Sequence, residues 1–349
     1  MYLDRDFLRT PEGFFFCVVG SVHPRGRIIA YLKYVPSEKG KWGRGDGRYF
    51  RTMQVYSMPA LLGNIENLRS SFPQYVFRSR VMGIQMSAVP RRCIASHYRP
   101  SVKLKELLMS SSKDELEDKA VRFILRLSET SGVPSESFGV TGSILLGIHN
   151  PRFSDLDIIV YGHDNAVSVK KALLRLFTDE KSSIKPFHGR TLEEALHRWT
   201  QRYPITPRQA RWFATRKWNR GVSMGKEFSI LPVKLPHEVR ERYGDIHYRS
   251  EGIAEGSAEI ADTQDSHFLP SIYTVKNVEL SPASAQVQDL VSYDSFYSGI
   301  FEKGDHVSFR GKIEMAIFRK DEESHRRIII GSSEANGADY IRPLLSRKR

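Results

Sequence analysis

Two aspartates separated by one residue, Asp155 and Asp157, lie in an apolar run that is typical of a buried β-strand. Successive side chains of a strand point to opposite faces, so both carboxylates are expected on the same face. Carboxylates a few ångströms apart repel one another unless a cation lies between them. Mg²⁺ is a hard, oxygen-binding ion that usually fills this role. The pair therefore predicts a site for Mg²⁺, or for Mn²⁺, with Asp155 and Asp157 as ligands.

A Gly-Ser step precedes this strand. Gly142 and Ser143 follow a short predicted strand at 137–141 and lead into a predicted helical turn. Glycine lets a phosphate approach the backbone, while the serine hydroxyl and the following N–H groups can bind a triphosphate. The order strand, Gly-Ser, short helix and Asp-x-Asp strand indicates metal-dependent attack on an α-phosphate, with pyrophosphate leaving.

Segments 142–147 and 154–160 together resemble the motif of the polymerase-β-like nucleotidyltransferase superfamily. More narrowly, the chain resembles an archaeal group of predicted nucleotidyltransferases. The resemblance implies an α+β fold with the superfamily's palm, a mixed sheet with helices, at its centre. It also implies that Gly142 and Ser143 bind an NTP, and that Asp155 and Asp157 are catalytic and hold Mg²⁺ or Mn²⁺.

The superfamily usually places a third carboxylate on a neighbouring strand, often followed by a proline. Segment 226–233 has the hydrophobic frame of that strand, but in the register set by Pro232 the expected position holds Ser229. Glu227 lies two residues earlier, on the same strand face, and its longer side chain can reach the metal from there. Three hypotheses remain open: Glu227 is the third catalytic acid, the two aspartates suffice, or the site binds nucleotide without turnover.

The pattern of apolar residues and turns divides the chain into three predicted parts. Residues 1–100 form a basic, β-rich domain that begins with a hairpin. Residues 101–249 form the nucleotidyltransferase core, whose first helix begins at a capping box made by Ser112 and Glu115. Residues 250–349 comprise a polar linker at about 252–265 and a small β-rich, barrel-like domain.

Positive charge is concentrated in the first of these parts. The chain has a net charge of +13, and residues 1–100 alone carry 16 Lys and Arg against 6 Asp and Glu. Such an excess favours an anionic partner, and RNA is the favoured one.

Two segments supply candidate nucleic-acid contacts. In the glycine-rich loop at 39–51, basic side chains can contact phosphates while Trp42 or Tyr49 stacks on a base. The alternative is a solvated loop with its rings packed against the hairpin. The cation-rich helix predicted at 207–217 is a second candidate, with a solvated helix face as its alternative. The basic candidates are Arg44, Arg48, Arg51, Arg211 and Arg216.

The chain has no run of about 18 apolar residues and a charged N-terminus, so we predict a cytoplasmic protein without a membrane partner. The leading function is Mg²⁺-dependent transfer of an NMP from an NTP to an acceptor hydroxyl, with RNA as the favoured acceptor. The alternative is a nucleic-acid-binding protein with a catalytically degenerate core. An antitoxin-like nucleotidyltransferase acting on a protein ranks third, because such proteins are usually short.

Overall fold

The computed structural model describes residues 1–43, 47–54, 57–281, 286–320 and 323–345. Over these ranges the chain forms three β-sheets together with α-helices, so the predicted α+β class is confirmed. No helix in these ranges is both long and apolar enough to cross a membrane.

The first sheet is built from the N-terminal part of the chain. Its elements are β1 (Phe7–Arg9), β2 (Phe15–Val18), β3 (Arg27–Pro36), β4 (Tyr49–Arg51), α1 (Met58–Ser71), β5 (Val76–Ser79), β6 (Ile84–Pro90) and β7 (Ser96–Tyr98). The strand order is β5-β6-β3-β2-β1-β7, with β4 added to β3. Strands β2 and β3 form the antiparallel hairpin that the sequence predicts.

This sheet has an apolar cluster on each face. Alternate residues of β3, among them Ile28 and Leu32, are buried in one cluster together with Leu68 of α1. On the other side Phe15 packs in a cluster with Leu145 and Ile148 of the central part of the chain. The first sheet is therefore fixed directly against the segment that follows Gly-Ser.

The central part contains the predicted motif. Its elements are α2 (Pro100–Met109), α3 (Glu115–Ser131), β8 (Phe138–Val140), α4 (Gly142–Leu145), β9 (Leu156–Tyr161), α5 (His163–Thr178), β10 (Ile184–Lys185), α6 (Gly189–Arg202), α7 (Pro207–Arg216), β11 (Arg220–Ser223) and β12 (Lys226–Val233). The sheet order is β10-β11-β12-β9-β8. Only β9 and β12 are parallel, so the sheet is mixed. Helices α3 and α5 cover one face, where Phe123 and Leu173 pack with Ile158 and Phe228.

Helix α3 begins two residues later than the predicted capping box. Asp114, rather than Ser112, is the N-cap, and its carboxylate accepts hydrogen bonds from the backbone N–H groups of Leu116 and Glu117. The Glu117 side chain in turn accepts one from Asp114 N. An aspartate is favoured over a serine here because its negative charge also interacts with the positive end of the helix dipole.

The last part of the chain forms a closed barrel. Its strands are β13 (Ile246–Asp262), β14 (Ser271–Ser281), β15 (Val287–Ser292), β16 (His306–Phe318), β17 (Ser324–Ile330) and β18 (Tyr340–Pro343). The order β13-β14-β15-β17-β16 closes on itself because β13 pairs with both β14 and β16, and β18 is added beside β16. Apolar side chains of these strands, together with residues of α6 and α7, form one continuous core.

The predicted linker at 252–265 is wrong, because residues up to Asp262 belong to β13. The small residues of this segment are required by close packing. A Cβ added to Gly256 would overlap the Glu279 carbonyl oxygen and lie 2.9 Å from the Phe309 ring. Low apolar content here marks a strand at a crowded position rather than a connection between domains.

Helices α6 and α7 pack against the barrel. Trp199 of α6 and Phe213 of α7 belong to the barrel's apolar core. Tyr203 stacks on Phe296 with 4.0 Å between the ring centroids. Because these two helices connect β10 to β11 of the central sheet and share the apolar core of the barrel, they join the barrel to the central sheet.

A half-buried histidine in the loop before β14, His267, makes stability sensitive to acid. Both ring nitrogens of His267 are buried and neither is hydrogen-bonded to a described residue. Desolvation, followed by the positive charges of Lys170 and His163, lowers its pKa to about 3. Unfolding restores an ordinary histidine, which takes up a proton below about pH 6.5.

The unfolded chain therefore binds one more proton than the folded chain between about pH 6.5 and pH 3, and acidification favours unfolding over this range. We expect His267 to account for up to about 2 kcal/mol of stability lost between pH 7.5 and pH 5. Urea unfolding at both pH values should show a smaller loss for His267→Leu than for the wild type. Equal losses for the two proteins would contradict the assignment.

Candidate active site

A continuous cleft of about 2030 Å³ runs between the first sheet, the open face of the central sheet and the barrel. Five residues of the predicted motif and of the strand predicted to carry a third acid line this cleft: Ser143, Asp155, Asp157, Glu227 and Ser229. Gly142 lies against the Asp157 side chain. The structure thus brings the predicted central residues together in one place.

The pairing of β9 with β12 determines which side chains face the cleft. The two strands are parallel, with Ser229 opposite Asp157 and Phe228 opposite Leu156. Leu156 and Phe228 belong to the helix-covered core, so Asp155, Asp157 and Ser229 share the opposite face. The Ser229 hydroxyl donates a hydrogen bond to Asp157 Oδ1 at 2.5 Å.

Gly142 is required by its contact with the second aspartate. Its φ of +68° lies in the left-handed region that favours glycine. A Cβ at this position would overlap Asp157 Oδ2 and lie 3.2 Å from Asp157 Cγ. The preceding N–H, of Thr141, donates to the Asp157 carbonyl oxygen at 2.9 Å. The Gly-Ser step is therefore pressed against β9, and the contact leaves no room for a side chain.

Ser143 is buried and bonded within the protein. Its hydroxyl donates to Ser154 Oγ at 3.3 Å, and Ser154 Oγ also accepts from Asn150 N at 2.9 Å. His149 Nε2 lies 2.6 Å from Asp114 Oδ2 at the start of α3. These contacts fix the loop between α4 and β9, which delivers Asp155 to the cleft.

The two aspartates share an unfavourable electrostatic environment. The Asp155 side chain is exposed to the cleft, but the cleft walls displace much of the bulk water around it. This desolvation, followed by the negative charge of Asp157, raises the pKa of Asp155 to about 6. Positive charges on Arg220 and Lys33 act in the opposite direction. The site therefore carries negative charge that a bound cation would stabilise.

Glu227 lies on the cleft face of β12 but is bound to another side chain. Arg198 Nη2, on α6, donates to Glu227 Oε1 at 3.1 Å and to Oε2 at 3.3 Å. The position that faces Asp157 directly is Ser229, as the sequence register predicts. Whether Glu227 is the third catalytic acid stays a prediction.

The donor set fits a metal ion that brings other ligands with it. Within the described ranges no group of three or more His, Cys, Asp or Glu side chains is arranged to hold a metal. Asp155 and Asp157 offer two carboxylates on one strand face. Mg²⁺ commonly uses one or two carboxylates and takes its remaining oxygens from water and substrate phosphates. The residues present therefore fit Mg²⁺ or Mn²⁺ bound together with a nucleotide.

The two candidate stacking rings of the basic loop, Trp42 and Tyr49, pack against other aromatic side chains of the protein. Trp42 lies edge-on to Phe153 at 5.5 Å, and Tyr49 contacts Phe15 at 5.0 Å. Both rings are partly buried, which agrees with the alternative that the loop packs against the hairpin. Base stacking by either ring would require these contacts to break.

The basic side chains of that loop are placed differently from one another. Arg48 is exposed to solvent, and Arg51, on β4, lines the cleft. Arg44 lies outside the described residues. Of the two described candidates from this loop, Arg51 is therefore the one that lines the same cleft as the predicted catalytic residues.

The two candidates on α7 form ion pairs. Arg211 Nη2 lies 3.2 Å from Glu193 Oε1 of α6, and both side chains are exposed. Arg216 lies over the Trp212 ring and 2.5 Å from Asp305 Oδ2, which precedes β16. Its guanidinium therefore fixes α7 to the barrel, and a nucleic acid would have to compete with Asp305 for it.

Several residues of the site escape prediction from the sequence. Lys33 and Arg220 act on Asp155 from other strands, and Arg198 reaches Glu227 from a helix. Tertiary packing brings these residues to the cleft, and no local pattern indicates it. Ser154, by contrast, adjoins Asp155 in the motif, and its polar side chain at the start of an apolar strand is a local signal.

Comparison with known proteins finds a relative of this chain but indicates no activity for either protein. An uncharacterized protein of Methanocaldococcus jannaschii is 28% identical over 340 residues, covering 97% of this chain and 98% of the relative. No protein-family model matches the chain, and no solved structure matches it. The similarity extends over nearly the full length of both proteins.

Proposed function

We propose that the protein is a Mg²⁺-dependent nucleotidyltransferase whose central sheet is a polymerase-β-like palm. It transfers an NMP from an NTP to an acceptor hydroxyl. The observation that carries the proposal is the joint placement of Gly142, Asp155 and Asp157, with the glycine backbone pressed against the second carboxylate. A backbone position that only glycine can occupy, next to two carboxylates, suits the binding of a triphosphate and its metal ion.

Each residue of this group has a distinct task. Asp155 and Asp157 would hold Mg²⁺, which supplies charge neutralisation at the phosphates when bound. The backbone at Gly142 and Ser143 would contact the phosphates. Ser229 orients Asp157 through its hydrogen bond, and Lys33 and Arg220 add positive charge beside Asp155.

The proposed reaction breaks one phosphoanhydride bond of the NTP and forms one phosphoester bond to the acceptor. The acceptor oxygen forms a bond to the α-phosphorus, the bond from that phosphorus to the bridging oxygen breaks, and pyrophosphate leaves. The acceptor proton needs a base, and Glu227 is the candidate carboxylate on the cleft face for that role. Proximity and charge stabilisation supply most of the catalysis in such a reaction.

RNA is the favoured acceptor because of the charge of the first part of the chain. Its sheet forms one wall of the cleft, with Lys33 and Arg51 among the lining residues. The excess of positive charge in residues 1–100 would attract a polyanion toward this wall.

Label transfer tests the proposal. The purified protein is incubated with each α-³²P-labelled NTP, Mg²⁺ or Mn²⁺, and total RNA, and the RNA is then resolved on a denaturing gel. We expect covalent labelling of RNA by at least one NTP. An absence of label with all four NTPs, both metals, and RNA, protein or small-molecule acceptors would refute the enzyme.

A second function is favoured by two observations on β12. The strand position that faces Asp157 holds Ser229, and Glu227 is paired with Arg198, an arrangement that suits a nucleic-acid-binding protein with a degenerate core. Such a protein would bind RNA with an affinity that falls as salt rises, and would transfer no label. The same assay, together with filter binding at 50 and 200 mM salt, separates the two functions.

A further inference from the structure

We propose that Arg198 holds Glu227 away from the aspartate pair until a substrate phosphate binds Arg198 and releases the carboxylate. Glu227 would then complete the metal site as a third acid. The inference rests on the proposed nucleotidyltransferase function and assigns to α6 the task of coupling nucleotide binding to assembly of the site.

The position of Glu227 on β12 is the first support. Glu227 and Ser229 are two residues apart on this strand, so their side chains lie on the same face. Ser229 faces Asp157 and Phe228 faces Leu156 in the parallel pairing with β9. Extending that register by one residue beyond the paired strands would put Glu227 beside Asp155. Glu227 thus lies on the strand next to β9 and on the cleft face, close to where a third carboxylate could bind the metal.

The Arg198 contact explains why that carboxylate does not join the pair. Both Glu227 oxygens accept from the same Arg198 nitrogen, at 3.1 and 3.3 Å. The desolvated Asp155 and its neighbour Asp157 already repel one another. Without a cation, a third negative charge beside them would be unfavourable, whereas the Arg198 guanidinium offers an opposite charge.

The contact is built so that a ligand can replace it. The side chains of Arg198 and Glu227 are 51% and 37% exposed, and both line the cleft. Solvent-exposed ion pairs are weak, while a phosphate can accept two hydrogen bonds from one guanidinium. Arg202, one turn further along α6, is instead bound to Asp294 at 2.8 Å. Of these two arginines, Arg198 is therefore the one that a phosphate in the cleft can capture more readily.

Metal binding without nucleotide provides the test. Mn²⁺ binding is followed by electron paramagnetic resonance for the wild type, Arg198→Ala, Glu227→Gln and the double variant. We expect Arg198→Ala to bind Mn²⁺ about tenfold more tightly than the wild type, since the freed Glu227 becomes available to the ion. Arg190→Ala is the matched control, because it removes an exposed arginine of the same helix that pairs with Glu194 at 2.7 Å.

The double variant distinguishes release of Glu227 from a general effect of charge. Removing any nearby positive charge strengthens cation binding, but that effect would persist when Glu227 is a glutamine. We expect no tightening by Arg198→Ala in the Glu227→Gln background. Equal tightening in both backgrounds, or none in either, overturns the inference while leaving a metal site at the aspartates intact.

Nucleotide binding in EDTA tests the role assigned to the phosphate. Calorimetry with ATP as the probe should show weaker binding to Arg198→Ala than to the wild type, by about tenfold, and unchanged binding to Arg190→Ala. Equal affinities for wild type and Arg198→Ala overturn the displacement step. If Asp155→Asn/Asp157→Asn binds Mn²⁺ as the wild type does, the metal site itself fails, and the proposed function fails with it.

Discussion

Replacing Asp155 and Asp157 together by asparagine is expected to reduce label transfer by at least about 10³-fold and to abolish Mn²⁺ binding at the cleft. Asparagine keeps the size of the side chain but removes both negative charges that would hold the ion. Loss of a metal ion that stabilises the transition state by several kcal/mol corresponds to three or more powers of ten in rate. Initial rates of RNA labelling at saturating NTP give the measurement.

Folding should not suffer from this replacement. The pKa of Asp155, raised to about 6 by desolvation and by Asp157, shows that the charged pair is unfavourable in the metal-free protein. The asparagine at 157 retains an oxygen that can accept from the Ser229 hydroxyl. Urea unfolding in EDTA at pH 7.5 should therefore show a double variant at least as stable as the wild type.

The matched control removes two carboxylates elsewhere in the same part of the chain. Asp164 and Asp179 are exposed and lie outside the cleft lining. Asp164→Asn/Asp179→Asn should transfer label at the wild-type rate. Transfer that survives the change at 155 and 157 would show that the chemistry does not depend on this pair.

The part of the site that can be predicted from the sequence is the part that is local in the chain. Asp155 and Asp157 share a face because of strand geometry alone, and the Gly142 turn precedes their strand by a short loop in the same stretch of sequence. The positions of Ser229 and Glu227 on one strand face likewise follow from spacing, once β12 is identified as a strand.

Contacts made by packing cannot be obtained in this way. The Arg198–Glu227 pair joins a helix to a strand, and its existence depends on how α6 is placed between the central sheet and the barrel. The basic loop shows the same limit. Its alternation of rings and cations does not reveal that Trp42 is turned inward onto Phe153. Composition is also ambiguous by itself, since the small polar residues of β13 suggest a linker until the crowding at Gly256 is known.

Adding a single methyl group at Gly142 should show how much the activity depends on the geometry of the site, because it changes no charge. An alanine at φ +68° is strained, and its Cβ would overlap Asp157 Oδ2. Asp157 cannot simply turn away, because its Oδ1 accepts from Ser229 and its strand is paired on both sides. Displacement of a catalytic group by about 1 Å costs about a hundredfold in rate. We therefore expect Gly142→Ala to lose about that much label transfer.

Gly132→Ala is the matched control for the backbone strain. Gly132 ends α3 with a φ of +72°, and a Cβ added there would meet no described atom within 4 Å. Both alanine variants should lose about 1–2 kcal/mol of stability from the left-handed backbone, and Gly142→Ala should lose more because of the contact with Asp157. Only Gly142→Ala should weaken Mn²⁺ binding and label transfer. If the two variants lost transfer in proportion to stability alone, the contact between Gly142 and Asp157 would be a matter of packing, and the glycine would have no part in the chemistry.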